Sequence, residues 1–203
     1  MSKQKMLVFT WFFWPEGGGA ELATYLIVKD IPSKRFDVMI VSGTKEPSPD
    51  VLLNAKYIYS PLFKASKKPK LLLNIFLRHR TLEKLIKVAD IVYIPSNAIL
   101  PIAILSKKIN PEAKVIIHLH DYQPISYSAA VLHNMDPGLR SDLLTERYDH
   151  NSILGTILTG LFRPMNKLYR LALDYADTII VVSKKQLEIC TKYIPNIRSK
   201  AVV

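Results

Sequence analysis

Cysteine is nearly absent: Cys190 is the single thiol among 203 residues. One cysteine excludes an intrachain disulfide and a cysteine-built metal cluster, and it fits a reducing compartment. Its place in a helical stretch makes it small apolar filler. Glycine is also scarce, seven in all, and three of the seven are consecutive: Gly17, Gly18 and Gly19. No uninterrupted apolar run reaches the length that crosses a bilayer. No secretory leader is expected either. Met1-Ser2-Lys3-Gln4-Lys5 is basic, but the apolar run after it is short and leads into Pro15 and the glycines, not a cleavage site. Acidic residues are outnumbered, 17 against 28 Lys and Arg, for a net charge of +11 and a pI near 9.6. That surplus calls for nucleic acid, an acidic membrane surface or a phosphorylated substrate, or else serves general solubility. Repeats and low-complexity linkers are absent. With 49% hydrophobic and 22% charged residues, the chain reads as soluble and globular, long enough for one sizeable core.

The glycines sit in the stretch that organises the rest. Met6-Leu7-Val8-Phe9-Thr10 is a short strand, Trp11-Phe12-Phe13-Trp14-Pro15-Glu16 a loop, and residues 20–28 an amphipathic helix after the glycine turn. A helix that starts just after such a turn presents unpaired N–H groups and the positive end of its dipole, which suits a phosphate. The order is that of the first β–loop–α unit of a doubly wound sheet. The spacing is not G-x-G-x-x-G and the P-loop Lys-Ser/Thr is missing, so a turn that only solves packing stands beside the phosphate reading. The aromatics at positions 11–14 read as buried packing, or as exposure to a ligand or membrane at the loop mouth.

Along the chain, strands are expected at 36–41, 55–59, 90–95, 113–119 and 178–183, with the start of a seventh at 200–203. Residues 44–50 form a polar loop. The stretch 62–88 holds the cations Lys67, Lys68, Lys70, Arg78, Arg80 and Lys84, and from about Pro69 onward its pattern predicts one basic amphipathic helix. It serves as a crossover helix with solvated charges, or as a face for anionic lipid. Nucleic acid is disfavoured, because no binding motif or regular interleaving of aromatics accompanies it. A helix is expected at 97–109 with Pro101 in its first turn. Residues 125–150 read as irregular, a mobile loop over the crevice or a solvated excursion, and His133 and His150 receive no role. Residues 151–176 return to helical periodicity with a kink at Arg163-Pro164. Ser183 is a natural N-cap for a helix over 184–193. The alternation of strand and helix argues one Rossmann-like α/β domain over 1–203, a mainly parallel sheet flanked by helices.

The fifth strand ends at His118-Leu119-His120-Asp121-Tyr122-Gln123-Pro124. Carboxyl ends of strands line the crevice of open α/β sheets, and His118 and His120 share a strand face. A His–Asp pair at that rim is a candidate general acid/base or oxyanion contact. The alternatives are a satisfied core histidine for His118 and a turn or cap role for Asp121. A metal reading of His-x-His-Asp needs further ligands, and no partner cluster stands out.

Three motifs in order, Gly17-Gly18-Gly19-Ala20-Glu21, His120-Asp121-Tyr122 with Pro124, and Ala176-Asp177-Thr178-Ile179-Ile180-Val181-Val182-Ser183, resemble the N-terminal domain of family-4-type glycosyltransferases. Those enzymes have the two-domain GT-B fold, and the resemblance covers essentially the whole chain. It implies transfer of a sugar from a nucleotide-sugar donor, with retention, to a glycan or lipid-linked acceptor bound mainly by this half. It puts the backbone of Gly17, Gly18 and Gly19 near the donor diphosphate, with Ser183 supporting. It puts His120 at the reacting sugar with Asp121 beside it, and Glu21, Trp14 and Tyr122 in the acceptor cleft. It requires no metal and no cofactor beyond the nucleotide sugar, and no Asp-x-Asp is present. The family's C-terminal donor domain is missing. The chain is therefore expected to be an N-terminal fragment or one half of a split enzyme, inactive alone and partnered by a donor domain or a second chain. The expected location is cytoplasmic, peripheral on the inner face of a membrane. A non-catalytic Rossmann-like partner domain is the competing reading. A nucleotide-cofactor oxidoreductase is disfavoured, with Asp37 its weak ribose-binding candidate.

Overall fold

A computed structural model describes residues 3–50, 54–65 and 67–203. Met1 and Ser2 of the basic start, and Ser66 before the basic helical stretch, lie outside the described residues.

Seven strands form one sheet in the order β3-β2-β1-β4-β5-β6-β7, every pair parallel. They are β1 (Gln4–Thr10), β2 (Phe36–Ser42), β3 (Ala55–Tyr59), β4 (Ile91–Ile94), β5 (Lys114–Leu119), β6 (Thr178–Val181) and β7 (Ala201–Val202). The helices are α1 (Gly19–Asp30), α2 (Lys68–Arg78), α3 (Arg80–Lys87), α4 (Ile102–Ile109), α5 (Leu139–His150), α6 (Ile153–Phe162), α7 (Asn166–Asp174) and α8 (Lys184–Tyr193). The α/β reading of the sequence holds, down to a seventh strand in which Val202 pairs with Ile180.

Parallel strands are buried on both faces, and β1 shows how. Its alternate side chains enter two cores. Met6 and Val8 join Phe13, Tyr25 and Val28 beneath α1. Leu7 and Phe9 join Phe63, Leu71, Ile75 and Ile86 on the other face. Cys190 is buried in that second core, and burial pushes its thiol up to about 11.

Four expectations are corrected. The basic stretch is two helices, not one: the chain turns at His79 between α2 and α3. Leu71, Leu72 and Ile75 of α2 and Leu82 and Ile86 of α3 are all buried, so each segment seats its own apolar side. Residues 97–99 make a 3-10 turn, and α4 begins only at Ile102, with Pro101 at its N-cap position. Strand β6 stops at Val181, short of Ser183. Within residues 125–150, α5 is a regular helix of 12 residues. Its inward side is polar (Ser141, Asp142 and Thr145 are buried), so no apolar periodicity announces it. Asp142 Oδ1 accepts hydrogen bonds from Ser126 Oγ at 2.7 Å and from Ser128 N and Oγ at 3.0 Å, and its Oδ2 faces Arg163 Nε at 3.1 Å. The Arg163-Pro164 kink falls where expected, in the 3-10 turn between α6 and α7.

Gly43 follows β2 where two backbones close in. A Cβ there would lie 2.8 Å from the Phe63 carbonyl oxygen and 2.9 Å from that of Trp11. Main-chain atoms give way poorly, so Gly43→Ala is expected to lower stability by about 1–3 kcal/mol. Urea unfolding checks this: the midpoint falls while the slope stays the same.

Candidate active-site cleft

The strand order reverses its direction of growth between β1 and β4. In open α/β sheets that reversal opens a crevice at the carboxyl ends of the strands. Here it holds a cavity of about 480 Å³. After β1 come Trp11, Gly19, Ala20 and Glu21; after β4, Ser96 and Asn97; after β5, His120, Asp121 and Gln123. Lys68, from the first turn of α2, closes one side.

The β5 rim is tightly tied. Asp121 Oδ1 accepts from Asn97 Nδ2 at 2.6 Å and from the Gln123 amide at 2.7 Å, and the Asp121 carbonyl accepts from Gln186 Nε2 at 3.0 Å. Burial pushes the Asp121 carboxyl up, opposed by the Gln123 and Asn97 donors and by the charges of Lys68 and His120. His120 stacks on His118 with ring centroids 4.0 Å apart, so the two do share a face. Burial lowers the His120 pKa, against the pull of Asp121 and Glu21. Among the described residues its buried Nε2 has no hydrogen-bond partner, and neither has the buried Asn97 Oδ1. Buried polar atoms are nearly always hydrogen-bonded. Both residues line the same cavity.

The glycine turn behaves differently. Gly17 has φ +94°, and a Cβ on it would lie 2.5 Å from Glu21 Cγ, so only glycine fits there. Glu21 folds back and its Oε2 accepts from the Gly18 amide at 2.7 Å. The first free N–H of α1 is thus met by the chain's own carboxylate. Gly19 lines the cavity, while Gly17 and Gly18 shape the turn.

Other expected site residues lie elsewhere. Trp14 packs against the core beneath α1, and Tyr122 lines a separate cavity with His133 and Tyr193. Ser183 caps α8, its Oγ accepting from Gln186 N at 3.1 Å. Lys70, Arg78, Arg80 and Lys84 are exposed on α2 and α3, and Lys67 is exposed beside a second cavity. Lys68 departs from them. It turns inward, donates to the Tyr127 carbonyl at 3.1 Å and lies over the Tyr127 ring. Burial lowers its pKa, and Asp121, Asp142 and Glu146 oppose the shift. Trp11 and Gln123 line the cleft from the loop mouth and the strand-end stretch that the sequence singled out, while Asn97 is a cleft residue that no motif indicated. Asn97 had one signal: it follows an apolar strand, as His120 does. Among the described residues no group of three or more His, Cys, Asp or Glu side chains could hold a metal ion, and no helix is long and apolar enough to cross a membrane.

No protein-family model matches this chain, and no curated protein matches it. Among solved structures, the crystal structure of a UGT transferase from Siraitia grosvenorii in complex with UDP is similar to it, with a TM-score of 0.52 at 10% identity. The match covers 97% of this chain and 48% of that one, so the chain spans about half the length of that transferase. At this identity the likeness is one of fold. The chain has a Rossmann-like, glycosyltransferase-like fold.

His118 sets a pH dependence. Burial, then the neighbouring His120, lowers its pKa from 6.5 to about 4, and its Nδ1 is held by the Tyr93 hydroxyl at 2.9 Å. The unfolded chain takes up this proton near 6.5, whereas the folded chain resists it down to about 4. Stability is therefore expected to fall as pH drops through that window, with His120 adding in the same direction. Thermal unfolding midpoints across the window check this, and His118→Asn should flatten the slope.

Proposed function

We propose that this chain is the acceptor-side half of a retaining, family-4-type glycosyltransferase of GT-B architecture. A donor domain or second chain supplies most of the nucleotide-sugar site. The observation that carries the reading is a pair of buried atoms without a partner among the described residues, His120 Nε2 and Asn97 Oδ1, on two residues that line the cavity at the sheet's reversal point. A sugar offers hydroxyls that both donate and accept, which is what two such atoms require. In this reading the imidazole of His120 meets a hydroxyl of the transferred sugar or an oxygen of the leaving diphosphate. Asp121 acts by holding the rim. The likeness to half of a transferase crystallised with UDP supports a nucleotide diphosphate as the leaving group.

A second reading, a non-catalytic partner domain, is favoured by one observation: Glu21 already fills the Gly18 N–H where a donor phosphate would approach. The two readings separate by assay. The full-length gene product is incubated with a panel of nucleotide sugars, and product configuration is read by NMR. Turnover with retention is expected, and His120→Ala should lower kcat by about 100-fold or more. Unchanged turnover in that variant would remove His120 from the chemistry, and no turnover with any donor would leave the partner-domain reading.

In the transferase reading the Glu21 carboxylate swings away when the diphosphate binds. Glu21→Gln, which removes a negative charge at the helix start, is then expected to tighten UDP binding several-fold. Calorimetric titration of the two full-length proteins with UDP checks this.

A further inference from the structure

A second cavity, of about 410 Å³, adjoins the His120 cleft, between the start of α2 and the hairpin that α5 and α6 form. The two cavities meet at Trp11 and Lys68, which line both. The chemistry of the cleft gives Trp11 no task, yet its indole is held in place. Nε1 donates to the Ala65 carbonyl at 3.1 Å, and the ring stacks on Phe12 with centroids 4.9 Å apart. Tyr127 and Phe162 add two more rings to the lining. Lys68 Nζ lies 5.4 Å from the centroid of the Tyr127 ring and donates to the Tyr127 carbonyl, so this ring is held as well. The aliphatic side of α6 takes no part: Ile153, Leu154, Ile157 and Leu161 are exposed and line none of the groove.

The polar part of the groove is balanced in charge. Lys67 and Lys68 line it together with Glu146 and Asp149. Among the described residues none of the four is ion-paired. Glu146 owes its position to a glycine. A Cβ on Gly155 would lie 2.5 Å from Glu146 Oε1, so the carboxylate reaches the first turn of α6 because no side chain stands there. An anionic ligand would meet the two carboxylates and a cationic one the two ammonium groups, and either like-charge contact is costly. A neutral, hydroxyl-rich ring meets neither conflict. Its hydroxyls donate to carboxylates and accept from ammonium groups, and its C–H face covers a fixed aromatic side chain. The volume is in the range of small-molecule sites.

We propose that this groove is a carbohydrate subsite, in which a neutral sugar unit stacks on Trp11 while the neighbouring unit of the same glycan occupies the His120 cleft. The inference rests on the transferase reading and names its acceptor, an uncharged oligosaccharide and not a single sugar. Trp11 stands at the junction and determines specificity there, Glu146 and Asp149 take hydroxyl protons, and Lys67 donates.

The test is binding of the full-length gene product, with no nucleotide sugar present, to an array of neutral, uronic-acid-containing and amino-sugar oligosaccharides and their monosaccharides. Neutral oligosaccharides are expected to bind, and calorimetric titration with the best of them should show at least about tenfold weaker binding in Trp11→Ala. Trp11 also packs against the core, so Asp149→Lys is the companion variant. Asp149 is exposed, so the thermal midpoint should match the parent, while the lost acceptor and the upset charge balance weaken binding several-fold. The proposal is overturned by binding of no array member, by binding of charged glycans alone, by a monosaccharide that binds as tightly as the best oligosaccharide, or by parental affinity in both variants. Its failure is separable from that of the transferase reading. Turnover onto another acceptor without glycan binding removes the subsite and keeps the transferase, whereas glycan binding that obeys the variants without turnover keeps the groove and removes the transferase.

Discussion

The constraint on which this molecule turns is the reversal of strand order at β1. The chain builds β1, β2 and β3 outward in one direction, then returns through α2 and α3 to place β4 on the other side of β1 and grow the opposite way. Two loops that leave adjacent strands in opposite directions cannot cover the gap between them, so a cleft is forced at that spot. Everything of chemical interest is gathered by this one event. Glu21 follows β1, Asn97 follows β4 and His120 follows β5; they are far apart in sequence and meet because three neighbouring strands point the same way.

The buried Asp142 is a second organising centre, independent of the sheet. A carboxylate with no solvent contact is costly unless its oxygens are met. Ser126, Ser128 and Arg163 meet them, and these come from the loop after β5 and from the turn between α6 and α7. One acid thereby fixes a hairpin that otherwise has little apolar core of its own. This explains how α6 keeps its aliphatic residues outward without collapsing onto the sheet.

Much of this was legible in the sequence, and what was not has a physical reason. Alternating apolar runs and helical stretches are enough to read a parallel sheet, because strands covered on both faces read as continuous apolar runs, as Val115, Ile116 and Ile117 show. Ser183 was readable as a cap because capping is local. Helix α5 was not, because its buried side is Ser141, Asp142 and Thr145, and polar burial leaves no hydropathic period. The inward turn of Lys68 was hidden for a related reason. A lysine in a run of lysines carries no mark of which one finds a carbonyl and an aromatic ring. Trp14 and Tyr122 were grouped with the cleft by proximity to its motifs. Proximity fails at a strand end, where one residue's step sends a side chain to the other side of a turn. For Tyr122, the carbonyl accepts both the Ile125 and Ser126 amides, and the side chain points toward α8.

The tie that runs from Asn97 through Asp121 to Gln186 continues one step further, since Gln186 Oε1 accepts the Val182 amide at 2.9 Å. Three strand ends, those of β4, β5 and β6, are thereby laced side to side. The opposite bank of the cleft, the glycine turn after β1, carries only local ties among the described residues: the Gly18 amide donates to Glu21 Oε2 and the Gly18 carbonyl accepts the Leu22 amide. The cleft is mechanically lopsided, one bank stiff and the other compliant. An entering molecule would take its position from the stiff bank, and the compliant bank would yield to its size.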